Sequence, residues 1–183
     1  MADIKERLRL YEGTADYQRA LGYYRQGKFY MYKDTEGYWT IGYGHKVLPN
    51  EMQKYKDGIN AMDADLLLAW DIDRTKKDLA TLGLVLPKDW EDFMIIMTFQ
   101  LGLGGVKKFR KMIAALKVQN WKEAIVQAKD SLWYRQTPNR LNAMIQELKT
   151  SNNKGAYRPF SFSCCSRITI IRSIFKSSWC ICF

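Results

Sequence analysis

Cysteine is missing from the first 163 residues of this 183-residue chain; all four, Cys164, Cys165, Cys180 and Cys182, fall in the last 20. A disulfide framework for the main fold is thereby excluded. Histidine occurs once, as His45, and the cysteine spacings C-C and C-x-C are not those of a zinc site, so no metal is expected. No apolar run reaches the ~18 residues of a membrane span, which argues against stable membrane insertion. The start, Met1-Ala-Asp-Ile-Lys-Glu-Arg, puts charges where a signal peptide needs an apolar core. It predicts synthesis without a secretion signal. Helix-turn-helix, RNA-binding aromatic and zinc-finger patterns are also missing, so nucleic acid is not an expected partner. Negative charge is the minority, 19 Asp plus Glu against 29 Lys plus Arg, for a net +10. Such a balance favours attraction to polyanions, anionic lipid or bacterial cell wall among them, although a solvated basic surface is its ordinary reading.

What is present suffices for a folded core, with 47% hydrophobic and 14% aromatic residues and no internal repeat. Apolar residues at Ile4, Leu8 and Tyr11 carry a helical spacing. Asp3 and Glu6 stand at capping-box spacing before that helix, and Glu12-Gly13 closes it. Thr14 to Gly27 is Tyr-rich and punctuated by Gly22 and Gly27. Two β-rich runs, 28–33 and 38–43, flank the turn group Asp34-Thr35-Glu36-Gly37, the pattern of a hairpin with a polar tip. His45 to Asn60 reads as irregular and polar. Asp63 is the expected N-cap of a long helix running to about Leu82, with Gly83 as its stop. Pro87 opens a helical group expected at 88–101, 106–117, 120–132 and 138–149, the last started by Pro138.

Glycosidic bond cleavage calls for a proton on the departing oxygen and a second group on the other side of the bond, commonly two carboxyls. Glu12 at a helix end and Asp34 at a hairpin tip can supply them, 22 positions apart. A desolvated carboxyl at Glu12 would hold its proton as a general acid must, while Asp34 would stay ionised and orient water with the Thr40 hydroxyl. Read blandly, both acids are ordinary capping residues, and spacing alone leaves that the commoner outcome.

The runs Leu8-Arg-Leu-Tyr-Glu12-Gly13, Tyr32-Lys-Asp34-Thr-Glu-Gly and Thr40-Ile-Gly-Tyr-Gly-His45 resemble the catalytic Glu, Asp and Thr signature of the T-even phage lysozymes, which are peptidoglycan-cleaving muramidases. Phe99-Gln100-Leu101-Gly102 and Trp133 to Arg140 are similar to two further blocks of that family, in the same order, so the likeness spans about residues 1–160. The resemblance implies an α+β, lysozyme-like fold. Its parts would be a small hairpin-containing N-terminal lobe (1–62, with 14–27 as an insertion), a connecting helix (63–83) and a mainly helical C-terminal lobe (84–160). It implies an inverting N-acetylmuramidase with catalytic Glu12, Asp34 and Thr40 and substrate-binding Gln100 and Tyr43. Arg140 would pair with the catalytic Glu, and His45 with Asp71 would form a buried structural pair. No cofactor is implied. Where the T-even enzymes carry an acid before the catalytic Glu, this chain has Tyr11.

The expected partners are peptidoglycan and phage tail or baseplate proteins, with the chain itself a monomer. The expected location is the host cytoplasm before release to the periplasm, or the virion tail. A non-catalytic wall-binding virion module is the alternative, against which Glu12, Asp34 and Thr40 all stand intact. The Ser/Cys/Ile-rich segment 161–183 has no counterpart in the family. It is expected to be an unstructured extension, ahead of a basic amphipathic membrane-touching segment and, last, a metal-binding one.

Overall fold

The computed structural model describes residues 3–34 and 37–154, with side chains through residue 148. The expectation for 161–183 and the hairpin-tip residues Thr35 and Glu36 lie outside the described residues.

Helix α1 (Ile4–Glu12) presents Ile4 and Leu8 to the core. Asp3 takes the extended backbone of an N-cap, but its side chain makes no capping hydrogen bond, contrary to the expected capping box. The 14–27 segment is ordered. Thr14 caps α2 (Ala15–Ala20), its hydroxyl accepting from the Tyr17 amide at 3.3 Å, and β1 (Tyr24–Arg25) then pairs with β2 (Lys28–Phe29). Between them Gln26 and Gly27, at φ 51° and 75°, form a two-residue hairpin turn in which both residues have positive φ.

The expected single run 28–33 is divided. Strand β2 joins a sheet of order β1-β2-β6 with β6 (Ile59–Asn60), whereas β3 (Tyr32–Lys33) begins a second sheet, β3-β4-β5, with β4 (Trp39–Ile41) and β5 (His45–Lys46). Phe29, fully buried, anchors the first sheet; Tyr32 pairs across to Thr40 in the second. A run of six β-forming residues carries no mark of that change of partner, because it is set by β6 some thirty positions on. The stretch expected to be irregular also holds a 3-10 turn (Pro49–Glu51) and α3 (Met52–Tyr55).

The long helix α4 (Ala61–Ala80) is capped by Asn60, whose Oδ1 accepts from the Asp63 amide at 2.8 Å. Asp63 is thus the third residue of the helix and not its cap, and its charge sits favourably at the positive helix end. Helix α5 (Lys88–Val106) starts behind Pro87 and is interrupted at Gly102, whose φ of 67° and ψ of 162° no helix contains. Helix α6 (Arg110–Lys117) begins four residues later than expected. The expected helix 120–132 splits into α7 (Trp121–Lys129) and α8 (Leu132–Gln136) because Ser131 caps the latter, its hydroxyl accepting from the Tyr134 amide at 3.1 Å. Helix α9 (Pro138–Lys154) starts at the proline, as its missing amide hydrogen favours.

The architecture is α+β, a small β-containing N-terminal region and a mainly helical remainder. Its core is continuous from Leu8, Phe29 and Ile41 through Leu68 and Ile72 to Trp90, Phe93 to Met97, Leu116, Leu141 and Ile145. Helix α5 packs on both α4 and α9. Among the described residues no helix is long and apolar enough to cross a membrane.

Candidate active site

Glu12 is the last residue of α1, and the chain turns away from it at Gly13, where φ is 107°. The carboxyl is enclosed on one side by Gly44. A Cβ added there would lie 3.2 Å from both Glu12 Cγ and Oε2, and 3.3 Å from the Phe99 ring. Gly44 also has φ 86°, so two constraints require glycine. Gly44→Ala is expected to cost about 1–3 kcal/mol of stability through backbone strain and to lower activity further by pressing on Glu12. A variant with lowered melting temperature but unimpaired turnover per folded molecule would contradict the second effect.

Burial raises the pKa of Glu12 above the ordinary carboxylate range, and the Arg140 guanidinium opposes that rise. Arg140, from the first turn of α9, places Nη1 3.4 Å from Glu12 Oε1 and donates through Nη2 to the Tyr11 carbonyl. Its guanidinium also stands 5.2 Å from the centre of the Tyr11 ring. The residue in place of the family acid therefore still holds Arg140, through its backbone oxygen and ring. Removing the arginine removes the influence that lowers the Glu12 pKa. Arg140→Ala is thus expected to shift the basic limb of the pH–activity profile upward, and an unmoved or lowered limb would contradict it.

Asp34 follows β3 directly. Its Oδ1 accepts from the Tyr38 amide at 2.8 Å, while its own amide donates to the Tyr38 carbonyl at 2.9 Å, which closes the hairpin turn. Asp34 thus does the capping work that the bland reading allowed, and its carboxylate is fixed as a result. Tyr32 feels the charge of both acids. Its hydroxyl pKa is pushed up to about 12, by burial first and then by the negative charges of Glu12 and Asp34, with Tyr23 and Tyr17 adding to the effect. Tyr32 therefore stays a neutral hydroxyl at ordinary pH. Tyr32 was legible in principle, since residues two apart on a strand share a face and it stands two before Asp34.

Thr40 sits in β4 opposite Tyr32, 5% exposed, its hydroxyl 3.5 Å from the Tyr38 carbonyl. His45 Nδ1 and Asp71 Oδ2 lie 2.7 Å apart, both side chains buried, and this contact ties β5 to α4. Gln100 Oε1 accepts from the Trp133 indole at 2.9 Å. Trp133 also lines a groove of about 680 Å³ with Leu101, Phe109 and Gln136. Tyr43 is packed edge-on against Phe29 at 5.0 Å, with the Arg9 guanidinium 5.5 Å from its ring centre.

The sequence reading did not single out Gln18 of α2. It is 2% exposed, and its amide donates to the carbonyls of Gly13 at 3.2 Å and Gly42 at 2.7 Å. A lone glutamine in a six-residue helix carries no periodic signal.

A half-buried carboxyl whose pKa burial raises and a second carboxyl fixed in a hairpin turn are groups of the kind a glycoside hydrolase uses. Comparison with known proteins gives the particular kind. Residues 26–150 match the phage lysozyme family, to which this chain belongs. It is 30% identical over 152 residues to probable T4-type lysozyme 2 of Dictyostelium discoideum, an alignment covering 69% of this chain and 89% of that protein. It is 31% identical over 146 residues to the pre-baseplate central spike protein Gp5 of Enterobacteria phage T4, covering 67% of this chain but 25% of the spike protein. Peptidoglycan hydrolase gp36 of Pseudomonas phage phiKMV is 26% identical over 152 residues, with 76% of this chain and 16% of that protein covered.

Proposed function

We propose that the protein hydrolyses the β-1,4 bond between N-acetylmuramic acid and N-acetylglucosamine in bacterial peptidoglycan, as a monomer and with inversion at the anomeric carbon. The observation that carries this reading is the pair of contrasting carboxyls, Glu12 with its pKa raised by burial and Asp34 held in a hairpin turn. Glu12 gives its proton to the departing glycosidic oxygen. Asp34, with Thr40, orients the water that attacks the opposite face of the sugar as the oxocarbenium-like centre develops. Gln100 lines the substrate cleft, and the His45–Asp71 pair braces the sheet that carries Thr40.

The relatives' names, lysozyme and peptidoglycan hydrolase, support the substrate. The net charge of +10 favours approach to an anionic wall. Two routes to the wall use the same chemistry, release at host lysis and carriage in the virion tail. The likeness to a baseplate spike protein supports the second, and peptides of this chain in purified virions would distinguish it.

The testing experiment is digestion of purified peptidoglycan followed by mass analysis of the muropeptides before and after borohydride reduction. Reducible muramic acid ends are expected. Reducible glucosamine ends would move the cleaved bond, and anhydro-muramic ends, lighter by one water, would replace hydrolysis by transglycosylation. Undigested wall would favour the non-catalytic binding module.

A further inference from the structure

We infer that Gln18 is a positioning residue for the proposed hydrolysis, a buried strap that fixes the helix end carrying Glu12 against the hairpin carrying Asp34 and Thr40. The inference rests on the catalytic reading above. Its physical basis is that 22 positions of chain separate Glu12 from Asp34. Over that length the backbone runs through α2 and the β1–β2 hairpin, and the second of these belongs to a different sheet from β3. Covalent connection therefore does not set the spacing of the two acids.

Gln18 replaces that connection. Its two amide hydrogens are shared between two carbonyls: Gly13 O, immediately after Glu12 in the chain, and Gly42 O, in the turn whose Gly44 walls the Glu12 carboxyl. Since both partners are acceptors, the amide nitrogen must face them. Gly42 follows Ile41, the last residue of β4, so the bond also fixes the strand that carries Thr40. The donor is held rigidly. Gln18 is 2% exposed, and its Cγ lies within 3.7 Å of where a Gly13 side chain would begin. Helix α2, only six residues long, is kept in place by its Thr14 cap and this strap.

The experiment compares wild type, Gln18→Met and Gln18→Asn on soluble peptidoglycan fragments, with Glu12→Gln as the inactive control. Methionine keeps the length and burial and removes both donors; asparagine keeps the donors but falls short by one methylene. Expected for Gln18→Met is a fall in kcat of about tenfold or more with KM changed less than about twofold, since displacing a reacting group by ~1 Å can cost on the order of 10²-fold. Glu12, no longer pressed against the turn, should also titrate closer to the ordinary carboxylate range, moving the basic limb of the pH profile down. Gln18→Asn should lie between. If Gln18→Met does not fold, Gln18→Asn together with an NMR titration of the Glu12 carboxyl decides the matter. Wild-type kcat, or a loss that only follows the unfolded fraction with the pH profile unmoved, would overturn the strap. A wild-type chain that hydrolyses nothing would overturn the catalytic reading instead.

Discussion

Glu12→Gln is expected to abolish wall hydrolysis while making the folded protein more stable at neutral pH. The amide cannot deliver a proton to the departing oxygen, and removing a general acid typically costs ~10²–10⁴-fold in rate. The stability gain follows from the direction of the Glu12 pKa shift. Because burial raises that pKa in the folded state, the folded protein binds the proton more tightly than the unfolded chain does. The resulting stabilisation is complete below the ordinary carboxylate range. It is lost as pH rises through the raised folded value, above which the half-buried carboxylate is a net burden despite Arg140. Glutamine mimics the protonated form and carries no such burden. The variant should melt higher than wild type near neutrality, by about 2–4 °C per kcal/mol recovered in a domain of this size, and the two curves should converge in acid. Loss of activity accompanied by a lower melting temperature at pH 7 would show Glu12 to be a structural partner of Arg140 and not a strained acid.

The second large effect concerns stability alone. Arg7 of α1 is 6% exposed and pairs with Glu147 of α9, while its other terminal nitrogen lies 4.0 Å from Asp92 of α5. Asp92, 3% exposed, is also held by Lys88 at 2.6 Å. This network joins the helix that ends in Glu12 to two helices of the C-terminal part. Arg7→Ala leaves the buried Asp92 without its buried counter-charge, which is expected to cost about 3–5 kcal/mol and lower the melting temperature by roughly 10 °C. Arg7→Met combined with Asp92→Leu should recover part of that loss, since replacing both buried charges by apolar groups avoids stranding one of them. Equal destabilisation in the single and double variants would mean that packing, and not charge, sets the cost.

Much of the fold could be read from local chemistry. Pro87 and Pro138 mark helix starts because their position needs no amide donor, and Glu12-Gly13 marks a helix end because glycine accepts the positive φ found there. Asp34 to Gly37 closes a turn through Asp34's own amide, carbonyl and carboxylate. What could not be read was settled by partners distant in sequence. The strands of two and three residues take their identity from neighbours such as β6, and α2 is held by Gln18 bonding across 24 positions to Gly42. The candidate site divides the same way. Glu12 and Asp34 were visible as residue types at element ends, and the family resemblance directed attention to them. Tyr32, which feels both charges, and the Gln18 strap depend on burial and on contacts across chain segments. Tyr43 sits in a motif that suggested the cleft, yet glycines on both sides let the chain turn its ring inward against Phe29.

The most direct test of the account is the anomeric configuration of the first product. In the proposed mechanism, water held by Asp34 and Thr40 and a proton from Glu12 would give a single displacement, which requires the acids to stand far enough apart to admit that water, about 6.5–9.5 Å in inverting enzymes. Proton NMR followed from the first seconds of digestion of a β-linked peptidoglycan oligosaccharide should show the α-anomer of the new reducing muramic acid first, with the β-anomer growing in only as fast as mutarotation. A β-anomer appearing first would mean two displacements through a covalent intermediate and would contradict the roles given to Asp34 and Thr40.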